Sequence, residues 1–153
     1  MSESSIAIDQ KYGVKFLDRT SDNIEVVQVK PDMLVETVTY LKMNKDTQFD
    51  VLYSVSGVDK DGCFEVVYHL FSTIFSKNLV LKVIITKNCP DVPSLTGVYS
   101  AADWHERETY DLFGINFLNH PNPERLLLPN DWKGHPLRKD YVNDDERLSW
   151  NAR

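Results

Sequence analysis

Residues 51–85 read VLYSVSGVDKDGCFEVVYHLFSTIFSKNLVLKVII, and this stretch decides the fold class. In three segments of it apolar side chains alternate with polar ones, a period of two that is typical of strands with one covered face. Turn sequences separate the segments at residues 59–62 and 76–78. The alternating apolar positions are Val51, Tyr53, Val55, Phe64, Val66, Tyr68, Leu70, Leu79, Leu81, Val83 and Ile85. This pattern predicts an antiparallel meander of three strands.

The segment before the meander predicts a further strand and a helix. Valine and isoleucine dominate residues 24–29, as they do in strands. Pro31 suits the first turn of a helix over residues 31–43. The apolar stripe of that helix consists of Leu34, Val38 and Leu41. Such a stripe would pack on the sheet.

A second helix is predicted over residues 101–113, with Ser100 as its N-cap and Gly114 as its C-cap. With it, the chain is expected to form a two-layer α+β domain, a mostly antiparallel sheet with two helices on one face and an extended C-terminal tail. We expect residues 1–23 to be an N-terminal arm with a short pairing segment near Val14. Residues 24–118 would be the α+β domain and residues 119–153 an extended partner-binding tail.

One carboxylate stands out on the second helix. At about 100° per residue one side of the helix contains Ala101, His105, Glu108 and Leu112. Glu108 thus points where a leucine is expected, and a buried carboxylate needs a partner because burying it alone costs several kcal/mol. Arg125 and Arg138 are the candidate partners. Glu106 would point to nearly the opposite side, which disfavours a hydrolase with two converging carboxylates.

Composition narrows the function classes. The chain has 153 residues, 42% of them hydrophobic, which suits one globular domain. Its net charge of −6 argues against binding to nucleic acid. We expect a soluble chain that reaches a membrane only through partners, since neither a signal peptide nor an apolar run of about 18 residues is present. Cys63 and Cys89 are expected to be reduced, and they cannot hold an iron–sulfur cluster alone, which needs about four thiolates.

Searches for catalytic motifs find none that is complete. His105 and Glu106 begin like the helix motif of a zinc protease, but Thr109 stands where the second histidine ligand is required. No glycine-rich phosphate loop, dinucleotide fingerprint or nucleophile elbow is present. A stand-alone hydrolase therefore remains only a less favoured alternative.

The region after the meander contains an ordered set of motifs. Residues 92–104 read VPSLTGVYSAADW and residues 106–114 read ERETYDLFG. They are followed by HP at 120–121, RLLLP at 125–129 and DWKGHPLRKDY at 131–141. This set resembles the signature of the thirty-kilodalton subunit of proton-pumping NADH:quinone oxidoreductase, respiratory complex I. That subunit is called C in bacteria and J in plastids and cyanobacteria. One departure is Glu124, where the family usually has a basic residue.

The resemblance implies a non-catalytic subunit of a proton-translocating NADH (or ferredoxin):quinone oxidoreductase, without a redox cofactor, metal or active site of its own. Its expected partners are the D-type, hydrogenase-like large subunit and the iron–sulfur subunits of the peripheral arm. Iron–sulfur clusters, flavin and quinone would belong to those partners. The expected location is the cytoplasmic side of the cell membrane, or its matrix or stromal equivalent. The alternative is the equivalent subunit of a membrane-bound hydrogenase or another energy-converting dehydrogenase.

Two groups of residues in these motifs are predicted to matter. Those predicted to fix the helix and the tail are Glu106, Arg107, Glu108 and Asp111. Those predicted for the interface with a partner are His120, Arg125, Trp132, Arg138 and Asp140, with Trp132 and Trp150 as buried anchors. Whether Glu108, Arg125 and Arg138 act at the interface or only staple the domain internally remains open at this point. The absence of large-subunit motifs after Arg153 predicts a separate polypeptide rather than one in which the C and D subunits are fused.

Overall fold

A five-stranded mixed sheet lies at the centre of the computed structural model, which describes residues 13–143. Its strands are β1 (Lys15–Arg19), β2 (Glu25–Val29), β3 (Val51–Lys60), β4 (Cys63–Ser72) and β5 (Lys77–Thr86), in the spatial order β1-β2-β5-β4-β3. Strands β3, β4 and β5 pair antiparallel, which confirms the predicted meander. Strand β2 runs parallel to β5, and β1 pairs antiparallel with β2 at the edge.

Both predicted helices are present. Helix α1 (Leu34–Met43) continues a 3₁₀ turn at Pro31–Met33, and helix α2 (Ala102–Phe113) follows later in the chain. Two short strands, β6 (Asp91–Pro93) and β7 (Asn116–Leu118), flank α2 in sequence and pair parallel with each other. This small second sheet brings together the segments that enter and leave α2. None of the helices in residues 13–143 is long and apolar enough to cross a membrane.

The core lies on one face of the large sheet. Strand register places Val27, Leu81, Tyr68 and Val55 in one row across four strands, and all four side chains are buried. The apolar stripe of α1 packs into the same cluster, and its three side chains are at most 1% exposed. The α+β fold with a mostly antiparallel sheet is therefore confirmed.

Helix α2 approaches strand β3 closely at Gly57. A Cβ atom there would lie 2.7 Å from a ring carbon of Phe113 and 3.1 Å from the Thr109 methyl group, so a larger residue would push the helix away. Thr109 also directs its hydroxyl toward the Val55 carbonyl oxygen, at 3.5 Å. These contacts set the rotation of α2 about its axis. The buried residues of α2 are Ala102, Glu106, Thr109 and Asp111.

Two predictions about α2 are therefore wrong. The side that contains Glu108 is not the buried one, because packing against β3 turns the neighbouring side inward and leaves Glu108 exposed. Ser100 is not the N-cap either, since the helix is preceded by Ala101, whose side chain makes no capping hydrogen bond. The predicted C-cap is confirmed, because Gly114 has a φ of +68°, in the left-handed region that glycine adopts without strain.

Candidate interface on the C-terminal strap

Residues 119–143, which we call the strap, contain no helix or strand and pass over the C-terminal end of α2. The last carbonyl groups of a helix have no partner inside the helix and must be satisfied from elsewhere. The Gly114 amide donates to the Tyr110 carbonyl oxygen at 2.8 Å, as a C-cap glycine does. The three carbonyl groups that follow Tyr110 are satisfied by the strap. The strap is therefore fastened to α2 by backbone acceptors that every helix presents.

Four donors of the strap reach the carbonyl oxygens of residues 111–113. Arg125 Nη1 and His135 Nδ1 lie 3.2 and 2.9 Å from the first of these oxygens. The Leu137 amide donates to the second at 3.0 Å, and Arg138 Nε donates to the third at 2.6 Å. Since a carbonyl can only accept, His135 has its proton on Nδ1. Positive groups at a helix C-terminus are also favoured by the helix dipole.

Asp111 is the second fastening point, and its side chain is fully buried. Its Oδ2 atom accepts the backbone N–H groups of Leu126, Leu127 and Leu128 at 3.1, 2.7 and 2.9 Å. Its Oδ1 atom pairs with Arg125 Nη1 at 2.7 Å. Because these amides bind a carboxylate, residues 126–128 are not paired in a strand.

The ionised form of Asp111 is strongly favoured by these donors. Burial alone would favour the neutral acid, but the hydrogen bonds from Leu128, Arg125, Leu127 and Leu126 outweigh it and hold the pKa of Asp111 below its usual range. A buried carboxylate with this many donors forms a specific, directional clamp. Residues 125–128 of the strap are thereby fixed to the helix.

Two arginines, one on the strap and one on α2, donate hydrogen bonds to carbonyl oxygens of the strap. Arg125 Nη2 donates to the carbonyl oxygens of Trp132 and Gly134, both at 3.1 Å, so its guanidinium links α2 to a later part of the strap. Arg107 donates from α2 to the carbonyl oxygens of Glu124 and Arg125, at 3.1 and 3.3 Å. The contact at Glu124 uses its backbone, so the acidic side chain at this position leaves it intact.

The distal part of the strap is tied to the sheet. The Arg138 guanidinium lies 5.0 Å from the centre of the Phe64 ring on β4. The Lys139 amide donates to Asp59 Oδ2 on β3 at 2.8 Å.

At Gly114 an added Cβ would lie 2.5 Å from the His135 ring, so glycine is required there by space as well as by backbone conformation.

The predicted grouping of Glu108 with Arg125 and Arg138 is wrong. Glu108 is exposed, Arg125 pairs with Asp111, and Arg138 binds a helix carbonyl and an aromatic ring. Of the residues predicted for the interface, Trp132 is half-buried in the strap and Asp140 is exposed. Trp150 lies outside the described residues.

In the N-terminal half of α2, Glu106 is fully buried. Its Oε1 atom accepts the Leu95 amide at 2.7 Å, and its Oε2 atom accepts the Ser94 hydroxyl at 2.6 Å. Burial raises the pKa of Glu106 to about 7; the hydrogen bonds from Ser94 and Leu95 oppose this shift, and the Asp103 carboxylate adds to it. Ser94 and His135 are site residues that sequence reasoning missed, because nothing in their spacing from α2 signals a contact.

Helix α2 and the strap present several large apolar side chains to solvent. Trp104, at the start of α2, is 64% exposed. The exposed apolar residues of the strap are Leu127, Leu137 and Val142, with exposures of 59%, 52% and 80%. A rigid backbone that exposes such side chains is typical of surfaces that bind another protein. In residues 13–143 no three His, Cys, Asp or Glu side chains are grouped so that they could hold a metal ion.

Fold and site together define a small α+β domain whose C-terminal strap is fixed to its second helix. A family model described as the 30 Kd subunit of respiratory-chain NADH dehydrogenase matches residues 27–147. The chain therefore belongs to this family, whose members are subunits of a multi-subunit respiratory complex. This confirms the family that the motifs had indicated.

Individual relatives agree with the family. The chain is 46% identical, over 127 residues, to the NADH-quinone oxidoreductase C subunit of Roseiflexus sp. (strain RS-1), covering 81% of this chain and 73% of that protein. It is 39% identical, over 132 residues, to the NADH-quinone oxidoreductase C/D subunit of Methylococcus capsulatus, covering 80% of this chain but 22% of that longer protein. Its fold is shared with a chain of the membrane-bound sulfane sulfur reductase, an archaeal respiratory membrane complex, with a TM-score of 0.78 and 22% identity, covering 97% of this chain and 87% of that one.

Proposed function

We propose that the chain is a structural subunit of the peripheral arm of an NADH:quinone oxidoreductase, in which it docks beside the hydrogenase-like large subunit. The observation that carries this proposal is the strap, whose backbone is fixed by Asp111, Arg125 and Arg138 while its apolar side chains remain exposed. The Methylococcus relative supports the choice of partner, because its name joins the C and D subunits in one protein.

The internal contacts explain how the strap can bind without folding first. A segment that becomes ordered only on binding spends part of the interaction free energy on ordering. Here that ordering cost is met within the chain, since the strap carbonyls and amides already bind Asp111, Arg107 and Arg125. The exposed leucines Leu127 and Leu137 are then available as anchors for the partner.

In this proposal the chain binds no redox cofactor, and electrons pass through neighbouring subunits that contain the flavin, the iron–sulfur clusters and the quinone site. The chain would lie on the cytoplasmic side of the cell membrane, or on the matrix or stromal side in organelles. Its contact with the membrane would come through the complex. Iron and flavin analysis of the purified chain tests this part, and a stoichiometric cofactor in the isolated chain would contradict it.

The docking role is tested by affinity purification of the tagged chain from mildly solubilised membranes, followed by mass spectrometry. We expect recovery of the large subunit together with iron–sulfur subunits of the peripheral arm. Recovery of the chain alone, soluble and monomeric, would overturn the proposal.

A matched pair of variants tests whether the strap provides the contact. Leu127→Glu combined with Leu137→Glu places charge at the exposed strap positions, and Met43→Glu places it at the end of α1, where the side chain is 73% exposed. We expect the strap variant to lose the partners while the Met43 variant retains them, both with wild-type melting temperatures. Equal retention by both would place the interface elsewhere on the chain.

A second candidate function keeps the docking role, but the complex would be a membrane-bound hydrogenase or a dehydrogenase with another electron donor. The Roseiflexus relative, at 46% identity, favours the NADH:quinone oxidoreductase. The same purification separates the two functions, because the input module that is recovered identifies the electron donor.

A further inference from the structure

The N-terminal half of α2 contains a buried carboxylate that the strap contacts do not use. Glu106 accepts hydrogen bonds from the Ser94 hydroxyl and the Leu95 amide, and both donors are neutral. Among the described residues the basic group within ion-pair distance of it is the His120 imidazole, whose Nε2 atom lies 3.9 Å from Glu106 Oε2. Glu106 thus lacks the guanidinium that stabilises Asp111.

His120 lies at the beginning of the strap, and its side chain is nearly as buried as that of Glu106. Its side chain is 2% exposed, and its Nε2 atom lies 3.4 Å from Asp103 Oδ1 and 3.2 Å from the Asp103 carbonyl oxygen. Its Nδ1 atom accepts the Asn122 amide at 3.0 Å. Since Nδ1 is an acceptor, the ring proton is on Nε2 and the imidazole is neutral. A second proton on Nδ1 would break the hydrogen bond from Asn122.

We propose that Glu106, His120 and Asp103 form a proton-binding site that couples protonation to how firmly the start of the strap is held against α2. With a proton bound, the Glu106 carboxyl is neutral and can donate to the Ser94 hydroxyl oxygen. Ser94 in turn donates to the Thr96 hydroxyl, 2.8 Å away. The contacts of Glu106 with the Ser94 hydroxyl and the Leu95 amide then persist without a buried charge.

Release of the proton to solvent leaves a buried carboxylate. The nearest group that could neutralise it is His120, and the positive form of His120 requires protonation of Nδ1, which costs the Asn122 hydrogen bond. Either outcome favours opening where the strap begins. An unpaired buried charge is stabilised when opening admits water, and a charged His120 removes the hydrogen bond that closes the turn at 120–122. Proton release loosens the place where the strap begins.

The other groups that residues 13–143 place around the site do not compensate the negative charge of Glu106. Tyr68 faces it from β4, and its hydroxyl is neutral because burial, with a smaller effect of Glu106, raises its pKa well above the usual value. Asp103, on the same helix, is itself acidic and adds repulsion. Arg107 directs its guanidinium toward strap carbonyls instead. The loop that contains Ser94 contributes only neutral donors.

The direction of the pH effect follows from the raised pKa of Glu106. Its folded-state pKa of about 7 lies above the ordinary value of 4.5, so its contribution to stability is complete below 4.5 and is lost as pH rises through 7. For an opening that exposes Glu106 to water and restores its ordinary pKa, these two values imply an increase of about tenfold in the opening equilibrium between pH 6 and pH 8. This effect belongs to the chain itself and does not depend on the proposed function.

The test compares the full chain with Glu106→Gln and with the exposed control Glu108→Gln, by urea unfolding and by hydrogen exchange between pH 6 and pH 8. After correction for intrinsic exchange, we expect the opening of residues 119–123 to rise about tenfold in the wild type and in Glu108→Gln, from the linkage above. Glu106→Gln should show a flat profile. Identical profiles for all three chains would overturn the proposal.

A carboxyl-detected NMR titration of the wild-type chain keeps the test independent of how well a variant folds. We expect the Glu106 carboxyl to titrate near neutral pH and the His120 ring signals to shift in the same step. Asp103→Asn should move the step to lower pH, because it removes a neighbouring negative charge. A Glu106 carboxyl that is already ionised at pH 6 would overturn the proposal.

Discussion

Asp111 and Glu106 lie little more than one turn apart on α2, and both are fully buried. Their surroundings nevertheless shift their pKa values in opposite directions. Asp111 receives three backbone amides and the Arg125 guanidinium, and its pKa is lowered. Glu106 receives one amide and one hydroxyl, and its pKa is raised to about 7. Equal burial therefore gives a permanent anion at Asp111 and a titrating acid at Glu106, five residues earlier on the same helix.

The difference shows that the number and charge of donors decide the state of a buried carboxylate, and that burial alone does not. It also divides the strap into two parts. Around Asp111 the strap is clamped at every accessible pH near neutrality, whereas around His120 its attachment varies with pH. Four substitutions or conditions test this contrast.

Asp111→Ala should have the largest effect. It leaves the amides of residues 126–128 and the Arg125 guanidinium without their acceptor, and breaking a buried ion pair costs about 3–5 kcal/mol. Urea unfolding measures the loss. The control is Glu108→Ala on the exposed side of the same helix, which should change stability by less than about 0.5 kcal/mol. Similar losses for the two variants would contradict the clamp.

Gly114→Ala should be the next most severe. A φ of +68° costs an alanine about 1–2 kcal/mol, and its Cβ would displace the His135 ring from the end of α2. Thermal unfolding would show the loss. Gly97→Ala is the matched control, since nothing lies within 4 Å of a Cβ there. If both variants melt together, the strap does not depend on close contact at Gly114.

Acid should weaken the Asp111 end selectively. The folded-state pKa of Asp111 is depressed below the ordinary 3.8, so its contribution to stability is present above that value and is lost as pH falls through the folded-state pKa. Unfolding followed from pH 5 downward should show a steeper loss in the wild type than in Asp111→Asn. Parallel profiles would mean that other carboxylates account for acid unfolding.

Lys139 should show the smallest effect. Its side chain is 62% exposed and lies 3.5 Å from the fully exposed Asp61, so Lys139→Ala should leave stability unchanged within error. The contact that ties this part of the strap to β3 is the Lys139 amide, which donates to Asp59. Lys139→Pro removes that donor and should raise hydrogen exchange in the strap. An effect of the alanine variant as large as that of proline would assign the tie to the side chain.

Local patterns predicted most of the fold. The meander follows from period-two alternation, α1 from its apolar stripe and the end of α2 from Gly114, and each of these needs only neighbouring residues. The position of β2 beside β5 was not predicted, because alternation within a strand does not state which strand it pairs with or in which direction. Ser100 failed as an N-cap because it lies in the turn before the helix, where its carbonyl oxygen accepts the Asp103 amide and Ala101 precedes the first helical residue.

By itself the sequence determined the strands of the meander, both helices and the family. Only the tertiary structure decided which carboxylate of α2 is buried, because every side of this helix has polar residues and the choice was made by the close approach to Gly57 on β3. The tertiary structure also decided the charge states of Glu106 and Asp111. The donors to Glu106 come from Ser94 and Leu95 and those to Asp111 from the strap, so the charge state of each depends on segments far from it along the chain.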